Sequence, residues 1–507
     1  MKQTNIAHDL ESVRFALNGV SPRMGRSAIG QFFTPAPIAC FMAGMFQKSA
    51  GHVRILDPGA GMGTLFAALV QELAMRDEKP ESITVVAYET DERMRPHIGE
   101  TFRLCGETCR RRGVQFFGDA RFEDFVQAAA ALSEGNLFRA REPLFTHAIL
   151  NPPYKKINGD SSVRRTLGAA GMETSNLYSA FVWLSAKMLA PGGELAAITP
   201  RSFCNGPYFR PFRKSFLDLM GLRRFHVFQS RSAAFKDDEV LQENVMFHAV
   251  RGGEHSPAIT VSVSAGNNFS NVRTREIPLA QVILPGDRDT FIHLPEEEDS
   301  QAVMAQMAVF DIGLAGLGLE VSTGRVVDFR VRDFLRMNPE TGTVPLVYPC
   351  HFDNGFVRWP LEKSKKPNAL LLADETRGQV VDTGHYVLVK RFSAKEEPRR
   401  IVAAVFDPSR VAAGRIGFEN HLNYFHDHGK GMSGKLAKGL ALYLNSTLVD
   451  RHFRLFSGHT QVNATDLRRM GYPTRDQLVR LGEHVGGRMP GQCVVDEIIQ
   501  RELFGDD

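Results

Sequence analysis

The sequence predicts an α/β protein whose first half forms a doubly wound, mostly parallel sheet. Between about residues 50 and 250, short runs rich in β-branched and aromatic residues alternate with stretches of helical character. Glycines, acidic residues and prolines fall directly after these runs, at the strand ends where such sheets bind ligands. After about residue 255 the alternation stops, which indicates a second domain of different architecture.

The predicted elements follow one another in a regular order. The strands are VRILDPG from residue 53, ITVVAYE from 83, VQFFGD from 114, FTHAILN from 145, GELAAITP from 193, LRRFHVF from 222 and ENVMFHAV from 243. The helices lie at about 64–74, 93–109, 122–132, 177–189 and 209–220. Because each early strand is followed by a helix, the strands of this part are expected to be mainly parallel, with both sheet faces covered.

The second half of the chain reads as a mixed α/β domain. A Gly-, Ser- and Asn-rich stretch begins at about residue 252. We expect a first domain over 1–255, a linker or boundary region over 256–310 and a second domain over 311–507, with a helix near 434–453.

The composition is that of an ordinary globular protein. The 507 residues are 43% hydrophobic and 23% charged, and the formal net charge is +4. No apolar run reaches the roughly 18 residues of a membrane span, and the N-terminus lacks the pattern of a signal peptide. A cytoplasmic location is therefore expected. The six cysteines lack zinc-site spacing, so we expect reduced thiols and no metal.

A glycine-rich turn follows the first predicted strand. In DPGAGMG, Asp57 ends the strand and Gly59, Gly61 and Gly63 precede a helix. Glycines allow a tight turn and a close approach of the backbone to a ligand. A glycine triplet alone also serves dinucleotides, but the G-x-G-x-G spacing and the preceding Asp-Pro favour another cofactor.

Acidic residues predicted at three successive strand ends identify that cofactor. Glu89 follows the second strand and Asp119 ends the third, in addition to Asp57. Each acid alone could be a helix cap. Together they suit a ligand with amines, hydroxyls and a cationic centre, and they disfavour a pyrophosphate. We expect S-adenosylmethionine, with Glu89 on the ribose, Asp119 on the adenine amine, and Asp57 with the glycine turn near the methionine portion.

The segment QFFTPAP adds a third part to the predicted pocket. Thr34 reads as a helix N-cap with Pro35 at the first helical position. Such a helix end can hold the carboxylate of the cofactor. Phe33, Thr34 and Pro35 are therefore predicted to contact it.

The motif NPPY follows the strand FTHAIL. Pro152 and Pro153 remove two backbone donors and fix two φ angles, so the turn presents carbonyl oxygens. The Asn151 side-chain oxygen and the Pro152 carbonyl can each accept a hydrogen bond from one N–H group of an exocyclic amine, and Tyr154 can stack on the ring that carries this amine. Catalysis of methyl transfer would then rest on positioning and fixed dipoles.

The ordered set QFFTP, DPGAGMG, YETD, GDARF, NPPY, NLYSAFV and GGELAAITPRSF resembles the gamma-class DNA adenine-N6 methyltransferases of restriction-modification systems over about residues 29–250. The resemblance implies a Rossmann-like S-adenosylmethionine-dependent methyltransferase fold followed by a target recognition domain. NPPY alone also occurs in protein-glutamine and RNA methyltransferases. The length and arrangement are similar to the PstI and BsuBI group of modification methylases, which acts on CTGCAG.

The resemblance also implies how the DNA is held. The family places a base-stacking phenylalanine in a segment resembling SAAFKDDEVLQENVMF, which gives that role to Phe235 and, as a weaker candidate, to Phe228. The adenine would be flipped out of duplex DNA into a pocket walled by Tyr154 and Phe235. The remaining candidate DNA contacts are Lys155, Lys156, Lys390, Arg391, His459, Thr460, Gln461 and Asn463.

These features predict a monomeric enzyme that methylates double-stranded DNA. Only 30 residues precede QFFTP, so we expect the partner restriction endonuclease to be a separate protein. Two alternatives stay open: an N-methyltransferase acting on a protein glutamine or on RNA, and a non-catalytic DNA specificity protein.

Overall fold

The computed structural model describes residues 6–133, apart from 21–32, and residues 144–505, apart from 160, 229–242, 286, 295–299, 394–396 and 457–460. The chain divides into two compact units, residues 1–296 and 297–507. None of the helices within the described ranges is long and apolar enough to cross a membrane.

The first unit is built on a nine-stranded sheet. Its strands are β1 His52–Pro58, β2 Ser82–Tyr88, β3 Gln115–Arg121, β4 Phe145–Leu150, β5 Leu189–Pro200, β6 Met220–Phe228, β7 Asn244–Arg251, β8 Ala258–Ser264 and β9 Arg273–Pro278. The order across the sheet is β3-β2-β1-β4-β5-β7-β6-β8-β9. The first five strands pair in parallel, and β7 runs antiparallel to both of its neighbours. The predicted fold class is confirmed.

Helices cover the strands of this unit. They are α1 Ile6–Asp9, α2 Glu11–Val20, α3 Ala36–Ala43, α4 Thr64–Met75, α5 Arg95–Arg112, α6 Phe125–Ser133, α7 Ser162–Ala169, α8 Leu177–Met188, α9 Arg210–Leu219 and α10 Leu279–Val282. Side chains of β2 alternate between two separate cores: Val86 belongs to one, and Val85 and Ala87 belong to the other. A sheet buried on both faces needs apolar residues at successive positions, which explains the continuous apolar runs in the sequence.

The strand order reverses between β1 and β4. From β1 the chain proceeds outward through β2 to β3, and from β4 it proceeds in the opposite direction to β5. Ligands of doubly wound sheets bind beyond the carboxyl ends of the strands at such a switch point. The glycine turn follows β1 and the motif NPPY follows β4, so the topology brings these two segments to the same crevice.

Strands β8 and β9 and helix α7 differ from the sequence expectation for this unit. The stretch 256–310, expected to be a linker or boundary region, contains the division between the two units at residues 296 and 297, but it also contains β8 and β9, which extend the first sheet. The alternation of polar and apolar residues in AITVSVS gives it a polar character although it forms a strand. Helix α7 was absent from the predicted elements because its residues include two arginines and only one fully buried side chain, Leu167.

The second unit contains two further sheets. One has the order β10-β20-β17-β18-β14-β13 and the other β11-β15-β12-β19-β16. The strands are β10 Glu320–Thr323, β11 Leu335–Arg336, β12 Thr343–Val347, β13 Phe352–Asp353, β14 Phe356–Val357, β15 Ala369–Leu371, β16 Val380–Asp382, β17 Tyr386–Lys390, β18 Ala403–Phe406, β19 Arg415–Phe418 and β20 Leu422–His426. The helices are α11 Ser300–Met307, α12 Asp374–Arg377, α13 Gly434–Leu444, α14 Thr447–Phe456, α15 Ala464–Arg469, α16 Arg475–Glu483 and α17 Gln492–Phe504.

Strand β17 shows how this unit is layered. Val387 and Val389 point into a core formed with the helices, whereas Tyr386 and Leu388 point into a core that contains Phe418 of the other sheet. The predicted helix over 434–453 is wrong in one respect, because it consists of the two helices α13 and α14.

Candidate active site

A cavity of about 470 Å³ lies at the switch point of the first sheet. Its size is within the usual range of small-ligand sites. It is bordered by the segment before α3, the glycine turn, the residues that follow β2, the start of α6, the motif NPPY and the start of α8. The lining residues used below are Phe33, Thr34, Gly59, Gly61, Glu89, Asp91, Glu123, Asp124, Asn151, Pro153, Lys155, Leu177 and Phe181.

The glycine turn connects β1 to α4 in a conformation that requires glycine. Gly59, Gly61 and Gly63 have φ angles of 80°, 58° and 91°. A Cβ atom on Gly63 would lie 2.4 Å from the ring of Phe66. The N–H of Gly59 donates to the Tyr88 carbonyl at 2.8 Å, which fixes the turn to the end of β2.

Glu89 follows β2 directly and lines the cavity. Its Oε2 accepts the N–H of Gly61 at 2.8 Å, and its Oε1 accepts the N–H groups of Thr90 and Asp91 at 2.8 and 2.9 Å. A carboxylate offers about four acceptor positions. The bond from Gly61 holds the glycine turn against the end of β2, and the three bonds together leave capacity for about one further donor.

Asp57 lies at the end of β1 but does not border the cavity. Its Oδ2 accepts the N–H of Phe66 at 3.3 Å, and its buried Oδ1 has no hydrogen-bond partner among the described atoms. Burial raises the pKa of Asp57 to about 8, the Phe66 N–H opposes this, and Glu89 raises it further. Through the bond to Phe66, the carboxyl group links the end of β1 to the start of α4.

Asp119 occupies a different place from the predicted one. Strand β3 continues to Arg121, so Asp119 does not end it. The Asp119 side chain is 51% exposed, pairs with Arg121 at 2.9 Å and does not border the cavity. The strand end was misjudged because the polar sequence GDAR looks like a turn, although it pairs with β2 as far as Arg121.

Other acids border the cavity in its place. Glu123 and Asp124 lie just before α6, and Asp91 lies two residues after Glu89. A hydrogen bond and ion pair with Arg93 lower the pKa of Asp91. The sequence did contain a signal for Asp91, because Asp91 is the last residue of YETD and lies two residues after Glu89.

The segment before α3 is anchored differently from the prediction. Helix α3 begins at Ala36 with Pro35 in the N-cap position, so the prediction of Thr34 as N-cap is wrong. The N–H of Ala36 donates to Glu11 Oε2 at 3.1 Å, so a carboxylate of the chain itself caps this helix. Phe33 and Thr34 border the cavity.

Thr34 instead contacts the motif NPPY. Asn151 Nδ2 donates to Thr34 Oγ1 at 3.1 Å, and the Thr34 residue is only 6% exposed. This bond makes Nδ2 the end of the amide that faces Thr34 and Oδ1 its acceptor end. The two residues are 117 positions apart, so their contact was beyond the reach of motif spacing.

The rest of the motif is held by backbone contacts. The N–H of Lys155 donates to the Pro153 carbonyl at 3.1 Å, and the N–H of Leu177 donates to the Lys155 carbonyl at 2.8 Å. Pro152 is buried, whereas Lys155 and Lys156 are exposed. The motif is therefore tied to the start of α8, which supplies Leu177 and Phe181 to the cavity.

Tyr154 is fixed by its hydroxyl group. Its Oη donates to the Ile198 carbonyl at 3.3 Å, and its ring lies 6.3 Å from that of Tyr178 in an edge-to-face arrangement. Burial raises the pKa of Tyr154. The residue is partly buried and packs against both cores of the first unit.

The two phenylalanine candidates have different outcomes. Phe235 lies outside the described residues. Phe228 ends β6 and is 4% exposed, and its ring packs near His226 at 5.0 Å. Phe228 is therefore a core residue.

The DNA-contact candidates of the second unit lie near the end of β17. Lys390 ends this strand and Arg391 follows it; the N–H of Val462 donates to the Arg391 carbonyl at 2.7 Å. Gln461 forms a β-bridge with Phe392. Asn463 precedes α15 and bonds Asp466 through its N–H and side-chain amide, which is a capping arrangement. His459 and Thr460 lie outside the described residues.

The doubly wound α/β fold and its cavity are those expected of a methyltransferase, and comparisons with known proteins agree. The chain is 42% identical to the type II methyltransferase M.PstI of Providencia stuartii over 97% of this chain and 96% of that protein. It is 42% identical to the type II methyltransferase M.BsuBI of Bacillus subtilis over 99% of both. The chain thus belongs to the type II methyltransferases of restriction-modification systems, and the resemblance to the PstI and BsuBI modification methylases is confirmed.

Two broader likenesses are consistent with this assignment. A family model described as Eco57I restriction-modification methylase matches residues 113–235. The solved structure of the type IIL restriction-modification enzyme MmeI in complex with DNA aligns with a TM-score of 0.56, covering 98% of this chain and 74% of that chain. At 11% identity the latter likeness shows the fold.

Proposed function

We propose that this protein transfers a methyl group from S-adenosylmethionine to N6 of an adenine flipped out of duplex DNA. As its target sequence we propose CTGCAG, which the resemblance of the sequence to the PstI and BsuBI group implies, and methylation there would protect the DNA from a separate restriction endonuclease. The observation that carries the proposal is the Asn151 amide, held by Thr34 beside an acid-lined cavity at the switch point of the sheet.

The residues around the cavity suit the proposed cofactor. The remaining acceptor capacity of Glu89 fits one ribose hydroxyl, and Asp124 or Glu123 fits the adenine amine better than the exposed Asp119 does. Phe181 and Leu177 offer apolar surface to the adenine ring. When bound, S-adenosylmethionine supplies an electrophilic methyl group on a sulfonium leaving group.

The motif NPPY would activate the amine without a general base. The lone pair of an exocyclic adenine amine is delocalised into the ring and is a poor nucleophile. Asn151 Oδ1 and the Pro152 carbonyl would accept its two N–H bonds and draw the nitrogen toward tetrahedral geometry. The anchored ring of Tyr154 would hold the base, and the proton would leave after transfer.

Lys155 and Lys156 are exposed beside this motif and would contact the phosphates that flank the flipped nucleotide. Lys390 and Arg391 would serve the same purpose in the second unit. Their contribution should be the same for every DNA sequence, because phosphates carry no base information.

The test uses labelled S-adenosylmethionine with three substrates: a duplex containing one CTGCAG, the same duplex with one base pair changed, and total RNA or protein. Label in the first duplex alone would support the reaction and the site together. Label in both duplexes would support the reaction and refute the site. Label in RNA or protein only, or in no substrate, would refute the proposed function.

A further inference from the structure

We propose that His421 is a specificity-determining residue that contacts a base edge of the target DNA through Nε2, and that the buried Glu419 is the residue that positions it. This inference rests on the proposed action on DNA. Neither residue was among the candidates drawn from the sequence, and both lie in the short turn between β19 and β20.

Glu419 is a buried carboxylate devoted to one neighbour. Its side chain is 0% exposed, whereas that of His421 is 47% exposed. Glu419 Oε2 accepts the N–H of His421 at 2.9 Å, and Oε1 accepts from Nδ1 of the same residue. Within the described part of the chain its side chain has no other hydrogen-bonding partner. Burying a carboxylate is costly, and here its hydrogen bonds serve to fix a single imidazole ring.

The fixed ring presents its other nitrogen. Because Nδ1 is engaged by Glu419, Nε2 is the ring atom left for a further contact, and it has no hydrogen-bond partner among the described residues. The buried Glu419 carboxylate fixes the orientation of the ring and so fixes the direction in which Nε2 can form a hydrogen bond. A hydrogen bond with strict geometry needs such a fixed group. Base edges in the major groove are recognised by such bonds.

The turn that carries His421 is tied to two neighbouring segments. The N–H of Arg391 donates to the His421 carbonyl at 2.9 Å, and the Asn423 side chain donates to the Val462 carbonyl at 2.7 Å. Asn423 is fully buried. The end of β17, the turn before β20 and the strand-like segment at 461–462 thus form one hydrogen-bonded platform, which limits the motion of the ring.

The residues around His421 could contact nucleic acid. Phe392 is 44% exposed and its ring lies 5.0 Å from that of His421. The Arg391 guanidinium lies 5.7 Å from the same phenylalanine ring. An apolar ring offers contact to a base or a thymine methyl group, and the neighbouring cations offer contact to phosphates.

The experiment expresses the full chain in cells that lack DNA methylation and maps every methylated site in the genome by single-molecule sequencing. Transfer rates are then measured on duplexes that differ from the mapped site by one base pair. For His421→Ala we expect discrimination at one position of the site to fall by about 5-fold to 150-fold, with discrimination at the other positions kept. Glu419→Gln, with its melting temperature checked, should give a smaller loss at the same position.

Two controls separate this role from general effects. His428 is also an exposed histidine beside a carboxylate, Glu320, but both side chains are mostly in solvent. His428→Ala should leave discrimination unchanged. Lys390→Ala should weaken binding to all duplexes equally and lower the dependence of binding on salt.

Each outcome of this experiment leads to a different conclusion. A wild-type protein that methylates no DNA would refute the proposed function. A wild-type protein that methylates a defined site, together with a His421→Ala variant that discriminates equally well at every position, would overturn this inference alone. A uniform loss of binding in His421→Ala, with a weaker salt dependence, would make His421 a phosphate contact and would also overturn it.

Discussion

Removing the Thr34 hydroxyl should impair catalysis through Asn151. Thr34→Val keeps the shape of the side chain but cannot accept the hydrogen bond that Asn151 Nδ2 donates at 3.1 Å. Since Thr34 is 6% exposed, water cannot simply replace its hydroxyl group. The loss of a buried hydrogen-bond partner costs about 1–3 kcal/mol. If the amide must hold this orientation in the transition state, kcat falls by about 5-fold to 150-fold.

The assay is single-turnover methyl transfer to a saturating duplex, together with separate measurements of cofactor and DNA binding. We expect the rate of transfer to fall while the dissociation constant for DNA stays within about twofold, because the buried Thr34 hydroxyl bonds Asn151 and none of the side chains proposed to contact phosphates. Thr34→Ser is the matched control, since it keeps the hydroxyl group and should retain most of the activity.

Two results would refute this reasoning. A Thr34→Val variant with a wild-type rate of transfer would mean that the bond does not position Asn151. A Thr34→Ser variant as impaired as Thr34→Val would mean that the methyl group, through packing, matters more than the hydroxyl group.

The remaining predictions concern stability and pH. Gly63→Ala should lower the free energy of unfolding by about 2–4 kcal/mol, because Gly63 has a φ of 91° and its added Cβ would clash with Phe66. Gly59→Ala should lower it by only about 1–2 kcal/mol, because the nearest atom to its added Cβ is 3.6 Å away. Equal losses of stability in urea titrations of the two variants would contradict this prediction. The pKa of Asp57 is about 8 in the folded protein, against an ordinary value of 3.8. Between these two pH values the folded state keeps a proton on Asp57 that the unfolded state has lost. The free energy of unfolding should therefore fall by at most about 6 kcal/mol as the pH rises from 4 to 8. Asp57→Asn without cofactor should lose this decline, and thermal melts with the same pH dependence in both proteins would refute it.

Much of the first unit could be predicted because its signals are local. The glycine turn, Glu89 and the motif NPPY each follow an apolar strand within a few residues, and strand pairing then brings them to one crevice. Local signals also set the limits of prediction. The end of β3 was placed two residues early, since only the pairing of Arg121 with Tyr88 shows that the strand continues.

Long-range contacts account for what the sequence could not reveal. The bond between Thr34 and Asn151 joins distant segments, and it replaced the helix-capping role that the local pattern of Thr34 and Pro35 suggested. The break between α13 and α14 has a similar origin. Asn445 exchanges hydrogen bonds of 2.9 and 3.0 Å with the backbone of Ala403 on β18, a partner 42 residues away.

The candidate site of the second unit was only partly accessible to sequence reasoning. Basic residues near the end of β17 were visible as a cluster, but nothing in the sequence indicated that Glu419 is fully buried beneath His421. A Glu-x-His spacing is common on exposed turns. The pair of Glu419 and His421 is distinguished by the packing of its turn, which the sequence did not reveal. Backbone hydrogen bonds tie the turn to β12, from Glu419 to Val347, and to the end of β17, from Arg391 to His421.

The central claim is that Asn151 holds the exocyclic amine of an adenine during methyl transfer. It is tested most directly by incubating unmethylated plasmid with S-adenosylmethionine and either the wild-type protein or Asn151→Ala, and then identifying the modified nucleosides by mass spectrometry. The account predicts N6-methyldeoxyadenosine with the wild-type protein and none with Asn151→Ala, although this variant still binds DNA. A methylated cytosine in place of adenine, or substantial N6-methyldeoxyadenosine with Asn151→Ala, would contradict it.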